Sequence, residues 1–169
     1  MNRIYGILAF ALPAGLYGAG RTAAVCLFFA VLYAVARADK RTMKIPDKLV
    51  WTALGIGLFS IPLFPEIGLP ERMLGMCSAS LLLLGIALCV PGAFGGGDIK
   101  LMAACGLFLG WRYSLLALGI AVFAGAAYGI RLLAAGKADR KTQIAFGPFL
   151  CIGMAAAVLW GEQILSVLW

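Results

Sequence analysis

The chain has 169 residues, of which 63% are hydrophobic and only 12% charged, against about a quarter charged in ordinary soluble domains. With a mean hydropathy of +1.00, it is not a soluble domain. It reads as an all-α, polytopic membrane helix bundle, one domain over 1–169, with room for about six to seven helices. Its net charge of +7 does not call for nucleic acid, because Lys and Arg gather on one face of membrane proteins.

Turn signals divide the chain into apolar segments at about 4–18, 22–37, 49–64, 73–91, 99–110, 113–134 and 144–160. The opening "MNRIYGILAFALPAGLYGAG" mimics a signal peptide, with Arg3, an apolar run and then small residues. More apolar segments follow it, so it is read as a retained extra helix over 1–20 ending in a tight turn. The first and fifth segments are short for a span and suit a re-entrant or enclosed position. No strand alternation, internal repeat or soluble linker is visible. With the N-terminus inside and every segment crossing, only Arg21, Arg72 and Arg112 of the fourteen bases fall outside, which fits the positive-inside bias.

Cys26, Cys77, Cys89, Cys105 and Cys151 all lie in apolar segments, form no CxxC, and have no histidine to work with. They read as small packing residues rather than a disulfide framework or zinc site. No metal and no cofactor is expected.

Seven acids remain. Glu66 and Glu71 in the outer loop "PEIGLPER", and Glu162 near the end of the last segment, read as solvated. Asp139 reads as a counter-charge among loop bases. Asp47, after Pro46 and before "KLVW", suits a helix N-cap. Asp39 and Asp98 stand at junctions of apolar helix and loop on one face. Asp98 opens the helix "IKLMAACGLFLG", where an acid is an ordinary cap. Asp39 closes its helix, where the dipole disfavours an anion, so it is a functional candidate. The run Gly95-Gly96-Gly97 before Asp98 exceeds what a cap needs. Glycine permits positive φ and close backbone approach, and no Gly-Lys-Ser/Thr follows as a phosphate loop would require.

Two neighbouring carboxylates do not both ionise easily, so one can act as base on water while the other, protonated, serves the carbonyl oxygen and the leaving amine. Peptide hydrolysis by such a pair needs no metal, histidine or serine. Two other classes use the same acids: a small transporter or channel with Asp39 and Asp98 in an ion path, and a membrane scaffold in which they are caps. The acids stand at helix ends rather than mid-membrane, and no half is repeated.

Three motifs resemble those of type IV prepilin peptidases, GxGD-type membrane aspartic proteases. "DKRTMKIPD" carries Asp39, Ile45 and Pro46; "FGGGDIK" carries Gly95, Gly97, Asp98 and Lys100; "AFGPFLCIG" carries Phe146, Gly147 and Pro148. The match spans about 22–160. Family members often have Asn where this chain has Asp47, and Pro where it has Ala145. The resemblance implies a catalytic pair, Asp39 and Asp98, with the other motif residues forming the substrate loops. It implies an endopeptidase that removes a short basic leader ending in Gly from a prepilin or pseudopilin. Cleavage would fall at the cytoplasmic surface of the inner membrane, by a multi-pass enzyme among lipids. Larger members carry paired CxxC motifs, and many methylate the new N-terminus. This chain is similar to the short, peptidase-only type found with Flp or Tad-like pili. Its oligomeric state is not legible.

Overall fold

A computed structural model describes residues 16–90, 92–136 and 144–168. Apolar runs bounded by Gly, Pro and charged turns form five helices among these residues: α1 (Leu16–Thr42), α2 (Asp47–Leu63), α3 (Leu69–Cys89), α4 (Gly96–Ala134) and α5 (Gly147–Leu168). The described residues contain no strand. α1, α3, α4 and α5 are each long and apolar enough to cross a membrane.

α1 begins earlier and ends later than the segment 22–37. No proline follows Pro13 in its first turns, so "LYGAG" is helical rather than a tight turn. At the other end Lys40 and Arg41 favour the negative pole of the helix and extend it to Thr42. The expected extra N-terminal helix over 1–20 lies outside the described residues, except that residues 16–20 open α1.

α4 would be about 58 Å long if straight, nearly twice the roughly 30 Å hydrocarbon layer. It is not straight. Gly110 sits at φ 75° and ψ 171°, a conformation open to glycine and strained for any other residue. Contacts give the direction of each arm. Phe94, just before the first arm, packs on Phe146 at the entry of α5, ring centroids 4.7 Å apart. Gly125, in the second arm, faces the same Phe146 ring, whereas Tyr113, just past the break, lies against Gly161 near the other end of α5. The chain therefore leaves the entry of α5 along 96–109, turns at Gly110 and returns along 111–134. The expectation of six to seven helices is thus not met as a count of elements. Five are found among the described residues, since the segments 99–110 and 113–134 run on through Gly110 and 4–15 lie outside.

α4 is the hub. α3 and α5 pack most heavily on it, α2 less so, while α1 packs on α2 and α5. Phe28 of α1 stacks on Phe108 at 4.3 Å, and Phe64 meets the edge of Phe108 at 5.9 Å. Beside this aromatic cluster lies Arg72, whose side chain is fully buried. Its guanidinium donates to the carbonyls of Ser60, Phe64, Ile67 and Leu107 and to the Ser60 hydroxyl, at 2.8–3.3 Å. It thereby adds a second donor to the Ser60 and Phe64 carbonyls, which already accept the Phe64 and Ile67 N–H groups, and ties the end of α2 and the α2–α3 loop to Leu107 in the first arm of α4. Nearby, Arg21 pairs with Glu66 at 2.7 Å. Glu162 is only partly exposed, accepts a 3.5 Å bond from the Tyr113 hydroxyl and keeps Oε2 buried, so it is not the freely solvated acid expected. All of this is at one end of the bundle. The candidate residues are at the other.

Candidate active site

Asp39 is in the last full turn of α1 and only 5% exposed. Its position at a helix C-terminus is unfavourable only within its own helix. Across the bundle, Oδ2 accepts a 2.9 Å hydrogen bond from the backbone N–H of Gly147, the first residue of α5. The carboxylate thus serves the exposed amide end of another helix, where the dipole favours an anion. Gly147 has to be a glycine for this contact. A Cβ there would stand 2.7 Å from Oδ2 and 3.0 Å from Cγ of Asp39. Pro148 follows in the first turn of α5, where its missing N–H has no helical partner to lose.

Asp98 is 7% exposed in the first turn of α4. Its Oδ2 accepts from the Gly95 N–H at 3.1 Å, and its own N–H donates to the Gly95 carbonyl at 3.0 Å. It is therefore a cap, as the ordinary reading had it, but only one oxygen is engaged. Oδ1 is buried with no hydrogen-bond partner among the described residues. Desolvated polar atoms without partners are rare in native folds and call for an explanation.

Both carboxylates line one cleft of about 360 Å³, walled by Met43, Lys44, Ile45, Asp47, Gly95, Gly96, Gly97 and Lys100. The three sequence motifs converge here. Gly97 packs against Ile45 so closely that a Cβ would stand 3.0 Å from Ile45 Cβ. Gly95 has φ −79°, and none of Gly95, Gly96 or Gly97 has positive φ. The run is explained by close approach, not by left-handed backbone. Phe94 on Phe146 ties the second motif to the third, and Phe146 also leans on Phe149 at 6.5 Å. Pro46 is at the N-cap of α2 with φ −63°, and its carbonyl accepts the Leu49 N–H at 3.0 Å. Pro46, Phe146, Gly147 and Pro148 support the cleft without lining it.

Asp47 is not the N-cap expected. The cap position belongs to Pro46, no side chain caps α2, and Asp47 is the first helical residue. Its Oδ1 instead takes Lys100 Nζ at 3.0 Å, a pair of exposed side chains linking the first two motifs across the cleft. One wall residue carried no sequence signal. Met43 has φ 53° and its N–H donates to the Asp39 carbonyl at 2.8 Å, turning the chain out of α1 and into the Ile-Pro segment. Among the described residues no three Cys, Asp or Glu side chains group as a metal site.

Comparison with known proteins gives the family. Residues 26–130 match the type IV leader peptidase family. A prepilin leader peptidase/N-methyltransferase of Legionella pneumophila is 33% identical over 141 residues, 80% of this chain and 49% of that protein. One from Aeromonas salmonicida (strain A449) is 33% identical over 152 residues, 87% of this chain and 52% of that protein. One from Bacillus subtilis is 31% identical over 140 residues, 83% of this chain and 56% of that protein. The chain spans about half the length of the curated relatives it matches. No solved structure matches it. Membrane-capable helices, an acid pair in one cleft and the shared sequence agree: this multi-pass membrane protein belongs to the type IV leader peptidase family.

Proposed function

We propose that the chain is an aspartic endopeptidase that cleaves the short basic leader from a prepilin or pseudopilin, after a Gly, with Asp39 and Asp98 as the catalytic pair. The observation that carries this reading is the shared cleft in which each aspartate has one oxygen held by a backbone N–H, from Gly147 and from Gly95. The two amides fix the carboxylates and leave Oδ1 of each without a protein partner among the described residues. One carboxylate takes a proton from water as the water oxygen attacks the scissile carbonyl. The other carboxyl, protonated, hydrogen-bonds the carbonyl oxygen. As the C–N bond breaks, a proton passes to the leaving amine and both products leave. Ile45, Pro46, Gly95, Gly97 and Lys100 shape the cleft for an extended leader, and Phe146, Gly147 and Pro148 hold Asp39 in place.

The cleft end of the bundle is assigned to the cytoplasm and the membrane to the inner membrane, because the bases of 37–48, 100 and 131 cluster there while Arg21, Arg72 and Arg112 are at the other end. On this assignment the two arms of α4 are separate passes, so the described residues make six, and a helix over 1–15 would bring the total to seven.

The test is cleavage of a purified prepilin in detergent, read by mass spectrometry of the released leader. Asp39→Asn and Asp98→Asn are each expected to abolish cleavage while the protein still inserts, and the double variant to lose no more, because the pair acts as a unit. Substantial cleavage by either single variant would falsify the assignment.

A further inference from the structure

The stretch from Arg37 to Lys48 holds five bases, Arg37, Lys40, Arg41, Lys44 and Lys48, all exposed. Among the described residues the salt bridges are Arg21 with Glu66 and Lys100 with Asp47. None of the five bases is in one. The two acids of the same stretch cannot serve them: Asp39 is buried and Asp47 is taken by Lys100. The bases are also held in place. Four of them are on helical turns of α1 or α2, and the Thr42 hydroxyl, 3.0 Å from both the Ala38 and Lys44 carbonyls, closes the turn between the two helices.

Two aromatic side chains give the depth of this stretch. Tyr33 and Trp51 are 67% and 70% exposed on the outer faces of α1 and α2. Exposed Tyr and Trp in membrane proteins sit at the headgroup boundary, with the ring in acyl chain and the polar atom in water. Arg37 reaches back to donate to the Tyr33 hydroxyl at 3.4 Å, so its guanidinium is at that level. Along α1, Lys40 is about 10 Å beyond Tyr33, and on α2 Lys48 precedes Trp51 by about 4.5 Å. The bases therefore lie in the layer where lipid phosphates are.

We propose that residues 37–48 form a seat for anionic phospholipid headgroups, which holds the cleft at the membrane surface. A count of charges would satisfy the positive-inside bias wherever in the loops they stood. An ordered row of unpaired bases, bracketed by boundary aromatics and adjoining the cleft through Lys44, fits lipid phosphates in particular. A soluble polyanion would gain nothing from the two aromatics.

The test uses no substrate, so its result is independent of the peptidase reading. The purified protein in neutral detergent is given equal phosphatidylglycerol and phosphatidylcholine, and retained lipids are counted by native mass spectrometry. The expected result is preferential retention of phosphatidylglycerol that falls as salt rises. Each base removed is expected to lower the preference about fivefold, so Lys40→Gln/Arg41→Gln/Lys48→Gln should show none. Arg112→Gln, at the far end, should keep it. Should the triple variant unfold, Lys40→Gln and Lys48→Gln alone each carry the fivefold expectation. Equal retention of the two lipids by the wild type, or a preference that survives the removals, would overturn the proposal.

Discussion

Asp39 and Gly147 touch in a space that admits no further carbon. A Cβ on residue 147 would fall 2.7 Å from Asp39 Oδ2 and 3.1 Å from its Cβ, with the carboxylate already fixed on the amide behind it. Something must move, and the carboxylate is what the proposed chemistry depends on. A displacement near 1 Å can cost about 100-fold in rate, so Gly147→Ala is expected to lose cleavage by roughly that factor while the helices remain folded. Gly97 is less severe. Its added Cβ would stand 3.0 Å from Ile45, so Gly97→Ala should be intermediate and Gly97→Val strongly impaired. Gly96 has open space around it, and Gly96→Ala should cleave at the wild-type rate. Equal rates for Gly147→Ala and Gly96→Ala, per inserted enzyme, would remove the steric argument. The sequence already marked these glycines and offered positive φ and close approach for the run at 95–97; only close approach holds, and that Ile45 is what approaches is not written in the residues next to them. It likewise presented Asp39 as an anion at an unfavourable helix end. The helix that receives it begins 108 residues later, and no local pattern reports such a contact.

At the scale of elements, two cations tie helices together with very different consequences. Lys100 and Asp47 join the start of α4 to the start of α2, but both side chains are more than 60% exposed. Exposed pairs contribute about 0–1 kcal/mol. Asp47→Asn is therefore expected to leave unfolding temperature and cleavage nearly unchanged. Loss of activity in Asp47→Asn with activity kept in Asp39→Asn would mean that the first catalytic aspartate had been misassigned. Arg72 is the opposite case. Its five bonds reach into α2, the α2–α3 loop and the first arm of α4, and the side chain is wholly enclosed. At about 0.5–1.5 kcal/mol for each bond lost, Arg72→Met should destabilise by about 3 kcal/mol or more. Arg72→Lys should recover only part, because an ammonium has three donors and no planar fork. The readout is thermal unfolding in detergent. Cleavage per folded molecule should hardly change, since the cleft is at the other end of the bundle, and an unchanged unfolding temperature in Arg72→Met would show that the network carries little. The segments themselves were legible, because apolar runs and Gly/Pro punctuation are local. The buried network of Arg72 was not, because its carbonyl partners come from three separate stretches.

For the whole molecule, the decisive feature is the turn at Gly110. If α4 were one bent span, its two ends would be on opposite sides of the membrane. The contacts instead bring Phe94 and Gly125 to the same ring of Phe146, and Tyr113 to the far end of α5. Both ends of α4 should then share a side with the end of α1. This gives a labelling prediction in a background lacking the five native cysteines. Thr42→Cys, Ala93→Cys and Ala135→Cys should react with a membrane-impermeant maleimide from one side only. Gly68→Cys and Arg112→Cys should react only from the other. All five residues are exposed at helix ends or loops, and a Cβ at Gly68 would meet nothing nearer than Pro70 at 3.6 Å. The bases add the direction: the side shared by positions 42, 93 and 135 should be the cytoplasm. Ala93→Cys and Ala135→Cys on opposite sides would reduce α4 to one crossing and break the six-pass reading. Positions 42, 93 and 135 together on the outer side would keep the fold but put Asp39 and Asp98 across the membrane from a cytoplasmic leader, and the proposed cleavage could not occur there.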